Sequence, residues 1–133
     1  MKYYNEHTVL WLDGEIVKAS EAKTDLYGQS LHYGYAVFEG IRSYRTAAGA
    51  TKIFKAIEHF DRLKKSAEAM NMPYRYTTKE LIEATYEILQ RNNLGDAYIR
   101  PAGVRHDVMN ASPHPIAFLE IEVKGLPAGA WSA

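Results

Sequence analysis

Apolar and polar positions alternate in short blocks along this chain, and the blocks predict its elements. Val9-Leu10-Trp11-Leu12 and Glu15-Ile16-Val17 flank Asp13-Gly14. Asp-Gly between two apolar runs predicts a hairpin with a type I′ turn. Residues 18–27 are polar and read as loop. Residues 35–44 read as a strand and 51–54 as its partner, with Ala47-Ala48-Gly49-Ala50 as the turn between them. Ile57, Phe60, Leu63, Ala67 and Met70 recur at helical spacing, so 56–71 predicts an amphipathic helix that Met72-Pro73 ends. Thr77 followed by Glu80 is a capping-box pattern. It opens a second helix with Leu81, Ile82, Thr85, Ile88 and Leu89 on its apolar face, closed by Asn93 and Gly95. Residues 97–104 and 116–123 read as strands, and the breakers Asn110, Ser112, Pro113 and Pro115 make 105–115 a loop. Strands, then two helices, then strands predict the α+β class: an antiparallel sheet with both helices on one face, a two-layer sandwich.

Composition narrows the function without naming one. The 133 residues suit one domain with a genuine core. Sixteen acids balance sixteen bases, which argues against a nucleic-acid or membrane-surface binder. Cysteine is absent, so disulfides and thiolate chemistry are excluded. No stretch reads as a signal peptide or a membrane span, so a cytoplasmic protein is expected. The histidines are scattered, with neither the H-E-x-x-H spacing nor any other metal constellation. Gly28, Gly34 and Gly40 do not form a phosphate-binding loop between strand and helix.

The segment from Gly28 to Tyr44 carries more polar chemistry than core filling needs, including a mid-strand glutamate, Glu39. Side chains on a strand alternate faces. Phe38, Gly40, Arg42 and Tyr44 therefore share one face, aromatic and cationic. Val37, Glu39, Ile41 and Ser43 share the other, which is mostly aliphatic and should meet the helices. Gly40 marks either a gap where a flat ligand approaches the backbone or a bulge beside a cross-strand aromatic pair. Spacing alone leaves these two even. In Tyr98-Ile99-Arg100-Pro101 the tyrosine and the arginine again share a face. Arg100 alone reads as a surface arginine paired with Asp96, and Arg62 as a helix arginine paired with Glu58. His32 reads as a buried, hydrogen-bonded residue that shapes its loop.

The motifs H-Y-G at 32–34, V-F-E-G-I-R at 37–42, E-H-x-x-R-L at 58–63 and A-Y-I-R-P at 97–101 together resemble the fold-type IV, pyridoxal-phosphate-dependent aminotransferases. Among these the chain is most similar to the branched-chain amino acid aminotransferases. The resemblance runs from about Val9 to Val123 and covers that family's smaller, N-terminal domain. It implies that residues 1–125 are that domain and that 126–133 begin an interdomain linker. The cofactor-holding lysine would lie in a following domain that this chain lacks. Lys55, Lys64, Lys65 and Lys124 match no catalytic position, so the chain alone is expected not to transaminate.

The resemblance also implies roles. Arg62 would meet the cofactor phosphate. Phe38, Tyr33 and Tyr98 would line the apolar substrate wall, with Gly40 near the ligand. Arg100, with Arg42, would meet the acidic co-substrate. The complete enzyme would be a homodimer that moves amino groups between leucine, isoleucine or valine and 2-oxoglutarate in a ping-pong cycle. Asp107, Val108 and Met109 lie in a loop that in the family crosses toward the partner's pocket. Here that loop departs from the G-D-x-G-x-G-V-N pattern. A D-amino acid aminotransferase or an aminodeoxychorismate lyase of the same fold is one alternative. A non-catalytic domain serving assembly or ligand capture is the other.

Overall fold

In the first hairpin, β1 (Val9–Leu12) pairs antiparallel with β2 (Glu15–Lys18), Trp11 opposite Ile16. Asp13 and Gly14 both take positive φ, 50° and 94°, as a type I′ turn requires. A computed structural model of the chain describes residues 4–95, 97–100 and 118–122, with 98–100 and 118–122 as backbone only. The sequence-predicted loop at 105–115, including Asp107, Val108 and Met109, the tail from 126 and Lys124 lie outside the described residues.

After the hairpin the chain runs through a polar loop into a single short helix, α1 (Gln29–Tyr33), which the hydrophobic pattern does not predict. Its capping residue Gly34 sits at φ 63° and donates its N–H to the Ser30 carbonyl. Strand β3 (Ile41–Arg45) follows, then β4 (Thr51–Ile53), paired antiparallel with Ser43 opposite Ile53. The expected strand start at 35 moves to 41. Among the described residues, 35–40 have no ladder partner; β5 (Ala97–Arg100) meets β3 through Ala97, Tyr98 and Ile99.

The helices follow their signals closely. Helix α2 (Ala56–Ala69) buries Phe60, Leu63 and Ala67. The ends of its predicted stripe, Ile57 and Met70, are exposed, the first in the opening turn and the second at the C-cap. Asn71 at φ 52° turns the chain, and the Met72 N–H reaches back to the Ala67 carbonyl. Helix α3 (Thr78–Arg91) carries the full capping box: Thr77 accepts from the Glu80 N–H, and the Glu80 carboxylate accepts from the Thr77 N–H. It buries Leu81, Ala84, Thr85, Ile88 and Leu89. Asn93 at φ 54° closes it. Gly95 serves differently: a Cβ there would stand 2.3 Å from Nε of Arg45, which lies across it.

The sheet has six strands in the order β2-β1-β6-β5-β3-β4, where β6 is Phe118–Glu122. Its two outer hairpins and the β3–β5 pair are antiparallel, as expected for the α+β class. Strand β6 runs parallel to both its neighbours, β1 and β5. Strands adjacent in sequence can lie parallel only when the connection is a dozen residues or longer, and the stretch 101–117 between β5 and β6 meets that condition. The core sits between the sheet and the helices, where Trp11, Ile41, Ile53, Phe60, Leu63, Leu81, Ile88 and Leu89 are buried. Tyr76 packs edge-on against Trp11 with ring centroids 4.8 Å apart.

Candidate functional site

Strand β3 divides its side chains as the period of two demands. Ile41 and Ser43 are fully buried against the helix layer, while Arg42 and Tyr44 are exposed on the other side. Ser43 Oγ accepts from the Ala97 N–H at 3.1 Å and donates to the Gly95 carbonyl at 3.2 Å, tying β3 to the start of β5. On the open side the Arg42 guanidinium lies 5.6 Å from the Tyr44 ring centre. Tyr44 meets Phe54 edge-on at 6.5 Å, and the Lys55 ammonium stands 5.7 Å from the Phe54 ring. Cations beside aromatic faces are attracted by the ring quadrupole.

Glu39 is the exception on the buried side. Only 7% exposed, it sits two residues before Ile41 and faces α2. Arg62 Nε donates to Glu39 Oε1 at 2.7 Å and Nη2 donates to Oε2 at 2.5 Å, a two-point fork. His59, one turn earlier on the same helix, has Nδ1 2.8 Å from Oε2. With its proton on Nδ1 it donates to that oxygen, which then accepts from both bases. Burial pushes the Glu39 carboxyl up. The hydrogen bonds and charges of Arg62 and His59 outweigh burial and hold it below its ordinary value of 4.5. The same hydrogen bond and charge from Glu39 push the Arg62 guanidinium up.

The pair is unequal. The Glu39 side chain is 8% exposed and that of Arg62 is 59% exposed. Glu39 occupies the Nε and Nη2 edge of the guanidinium. Among the described residues no acceptor is hydrogen-bonded to Nη1, so the outer edge keeps donors for a second anion. A carboxylate behind and a phosphate in front is a chemically sound arrangement for one arginine.

The other sequence-predicted residues fall as follows. Phe38 and Gly40 flank Glu39, so the backbone joins them directly to the Arg62 anchor. Phe38 is half-exposed and Gly40 half-buried. Tyr33 ends α1 and is 82% exposed. The register sets position 98 opposite Arg42, with position 100 two residues further along β5. The side chains of Tyr98 and Arg100 lie outside the described residues, as does Asp96. Arg62 pairs with Glu39 and not with Glu58. His32 is hydrogen-bonded as expected, Nε2 donating to the Leu26 carbonyl at 2.7 Å, but it is exposed and not buried, on a helix that buries none of its residues.

The sequence patterns do not single out Glu39 and His59 as site residues, although a signal for both is present. An acid in phase with buried Ile41 needs a base from the facing helix, and His59 and Arg62 share one helix face at i and i+3. A separate open cleft of about 310 Å³, bounded by Arg45, Tyr86 and Gln90 among others, lies at the opposite end of β3 and holds none of these residues. Among the described residues no group of three or more His, Asp or Glu is placed to hold a metal, and no helix is long and apolar enough to cross a membrane.

Residues 36–126 match the amino-transferase class IV family. Over 123 residues the chain is 37% identical to the branched-chain-amino-acid aminotransferase of Salmonella typhimurium, covering 92% of this chain and 40% of that protein. Over 93 residues it is 48% identical to the Pseudomonas aeruginosa protein of the same name, covering 70% of this chain and 30% of that one. Among solved structures, branched-chain amino acid aminotransferase from Escherichia coli superimposes with a TM-score of 0.68 at 40% identity, covering 72% of this chain and 32% of that one. The branched-chain amino acid aminotransferase from Thermobaculum terrenum, in its PLP-form, gives a TM-score of 0.65 at 35% identity, with 74% and 33% covered. The chain thus spans well under half the length of these relatives and corresponds to their N-terminal part.

Proposed function

The chain belongs to the class IV aminotransferase family, and on that premise we propose that it forms the small domain of a pyridoxal-phosphate-dependent branched-chain amino acid aminotransferase. One observation carries the reading: Arg62, in the E-H-x-x-R-L motif, is gripped from behind by Glu39 and keeps its outer donors toward solvent. That donor set suits a phosphate monoester, which accepts two N–H bonds from one guanidinium edge. When bound, the cofactor supplies the electron sink for amino transfer. This chain's part is binding and orientation. Arg62 holds the phosphate, while Phe38, Tyr33 and Tyr98 wall an apolar side-chain pocket beside Gly40. Arg42 and Arg100 receive the carboxylate of glutamate or 2-oxoglutarate, in the half-reaction where the apolar substrate is absent.

The lysine that carries the cofactor lies, in this reading, in the part of the relatives beyond the chain's match. Residues 1–125 are the domain, and 126–133 begin a linker. The whole protein is a cytoplasmic homodimer acting on leucine, isoleucine or valine.

Reduction with borohydride in the presence of pyridoxal phosphate, followed by intact mass and peptide mapping, tests this directly. Sparse labelling spread over surface lysines is expected. One lysine labelled at full stoichiometry would place the cofactor-carrying residue inside this chain and overturn the division of labour. In a longer protein bearing the second domain, leucine should far outperform D-alanine as amino donor. The reverse preference would assign a D-amino acid aminotransferase.

A further inference from the structure

We propose that Glu39 is a positioning residue for the phosphate site: it fixes the plane of the Arg62 guanidinium so that the outer edge meets the anion, and His59 fixes the carboxylate in turn. The inference rests on the reading of Arg62 as the phosphate contact.

The geometry favours positioning over simple structural pairing. Glu39, two residues before β3, is buried like Ile41 and Ser43, where an apolar residue would pack without any desolvation cost. A pair kept only for stability would bury both partners, yet the acid here is 8% exposed and the base 59%. The carboxylate grips the Nε and Nη2 edge at 2.7 and 2.5 Å, which sets both the direction and the tilt of the guanidinium. A long arginine side chain at this exposure would otherwise sample many rotamers. Holding it beforehand lowers the ordering cost of binding. His59 Nδ1 lies 2.8 Å from the same Oε2, beside Arg62 Nη2, the two nitrogens standing 3.0 Å apart. His59 and Arg62, both from α2, are the charged and titratable groups on Glu39 among the described residues.

The test is NMR on the full chain with ¹⁵N-arginine, titrated with pyridoxine 5′-phosphate, which has no aldehyde to react with lysine, and with pyridoxine as the control. In the unsubstituted chain the Arg62 Nε–H signal is expected to be protected from exchange. It should shift saturably with the phosphate ester and not with pyridoxine. Glu39→Gln should remove the protection and raise the dissociation constant about tenfold, equivalent to about 1.4 kcal/mol. Glu39→Asp keeps the charge but lacks the reach, and should not rescue. Unchanged protection or unchanged affinity in Glu39→Gln overturns the proposal, as does full rescue by Asp.

Failure of the underlying reading looks different. Either Arg62→Gln binds the ester as tightly as the unsubstituted chain, or that chain shows no saturable shift, while Glu39 still protects Nε–H. If Glu39→Gln does not fold, acid titration of the unsubstituted chain below pH 5 replaces it, where the ester stays a monoanion. Protection and affinity should then fall together as Glu39 protonates, and persistence of both overturns the proposal.

Discussion

The two sides of β3 are built from neighbouring residues and behave oppositely. Toward the helices, Ile41 and Ser43 are sealed at 0% exposure, and buried Glu39, just before the strand, is hydrogen-bonded to Arg62 and His59. Toward the open side, the side chains of Arg42, Tyr44 and Phe54 are exposed and make cation–aromatic and edge-on ring contacts with one another. The lesson is that stability and recognition are divided by strand phase. The closed side carries the burial that holds the domain together. The open side keeps groups whose cost of exposure is small and whose use comes only with a ligand or a covering partner.

That division can be broken most severely from the closed side. Phe60→Ala should lower unfolding free energy by about 3–5 kcal/mol in a denaturant titration, since a fully buried ring leaves a cavity between α2 and the sheet. Ser43→Ala should cost about 1–3 kcal/mol, because the Ala97 N–H and the Gly95 carbonyl lose their partner in a buried place.

Acid should reveal Glu39. Its carboxyl is held below its ordinary value in the folded chain, so its stabilisation is complete above pH 4.5, the ordinary value. It begins to fade as pH falls below that value and is gone once pH passes the lowered folded value. Acid-unfolding midpoints by circular dichroism should therefore show a shallower acid limb for Glu39→Gln than for the unsubstituted chain, and parallel limbs would contradict the ion-pair account. On the open side, Tyr44→Ala should change stability by no more than about 0.5 kcal/mol. A larger loss in the same titration would show that this face is structural after all.

Much of this was legible in residue order. Asp13-Gly14 specifies its own turn because Gly14, and to a lesser degree Asp13, tolerates positive φ. Thr77 and Glu80 satisfy each other's backbone across one helical turn. The phase of Ile41 to Tyr44 follows from pleating alone. The motifs around Phe38, Arg62 and Arg100 pointed to the family that the match over residues 36–126 then established. Each of these signals acts within a few residues, so tertiary packing only has to accept it.

Tertiary structure decided the rest. Arg62 pairs with Glu39, 23 positions away on another element, and not with the nearer Glu58. β3 begins at Ile41, where its described pairing with Ile99 of β5 starts. β6 inserts parallel between β1 and β5, a choice no local pattern encodes. Ile57 and Met70 lie on an apolar stripe yet stay exposed at the two ends of α2. Periodicity states which side of an element is apolar. Only the packed chain settles how far a partner extends and which distant charge a buried acid meets, since both depend on contacts whose chain-closure cost is met by the whole fold at once.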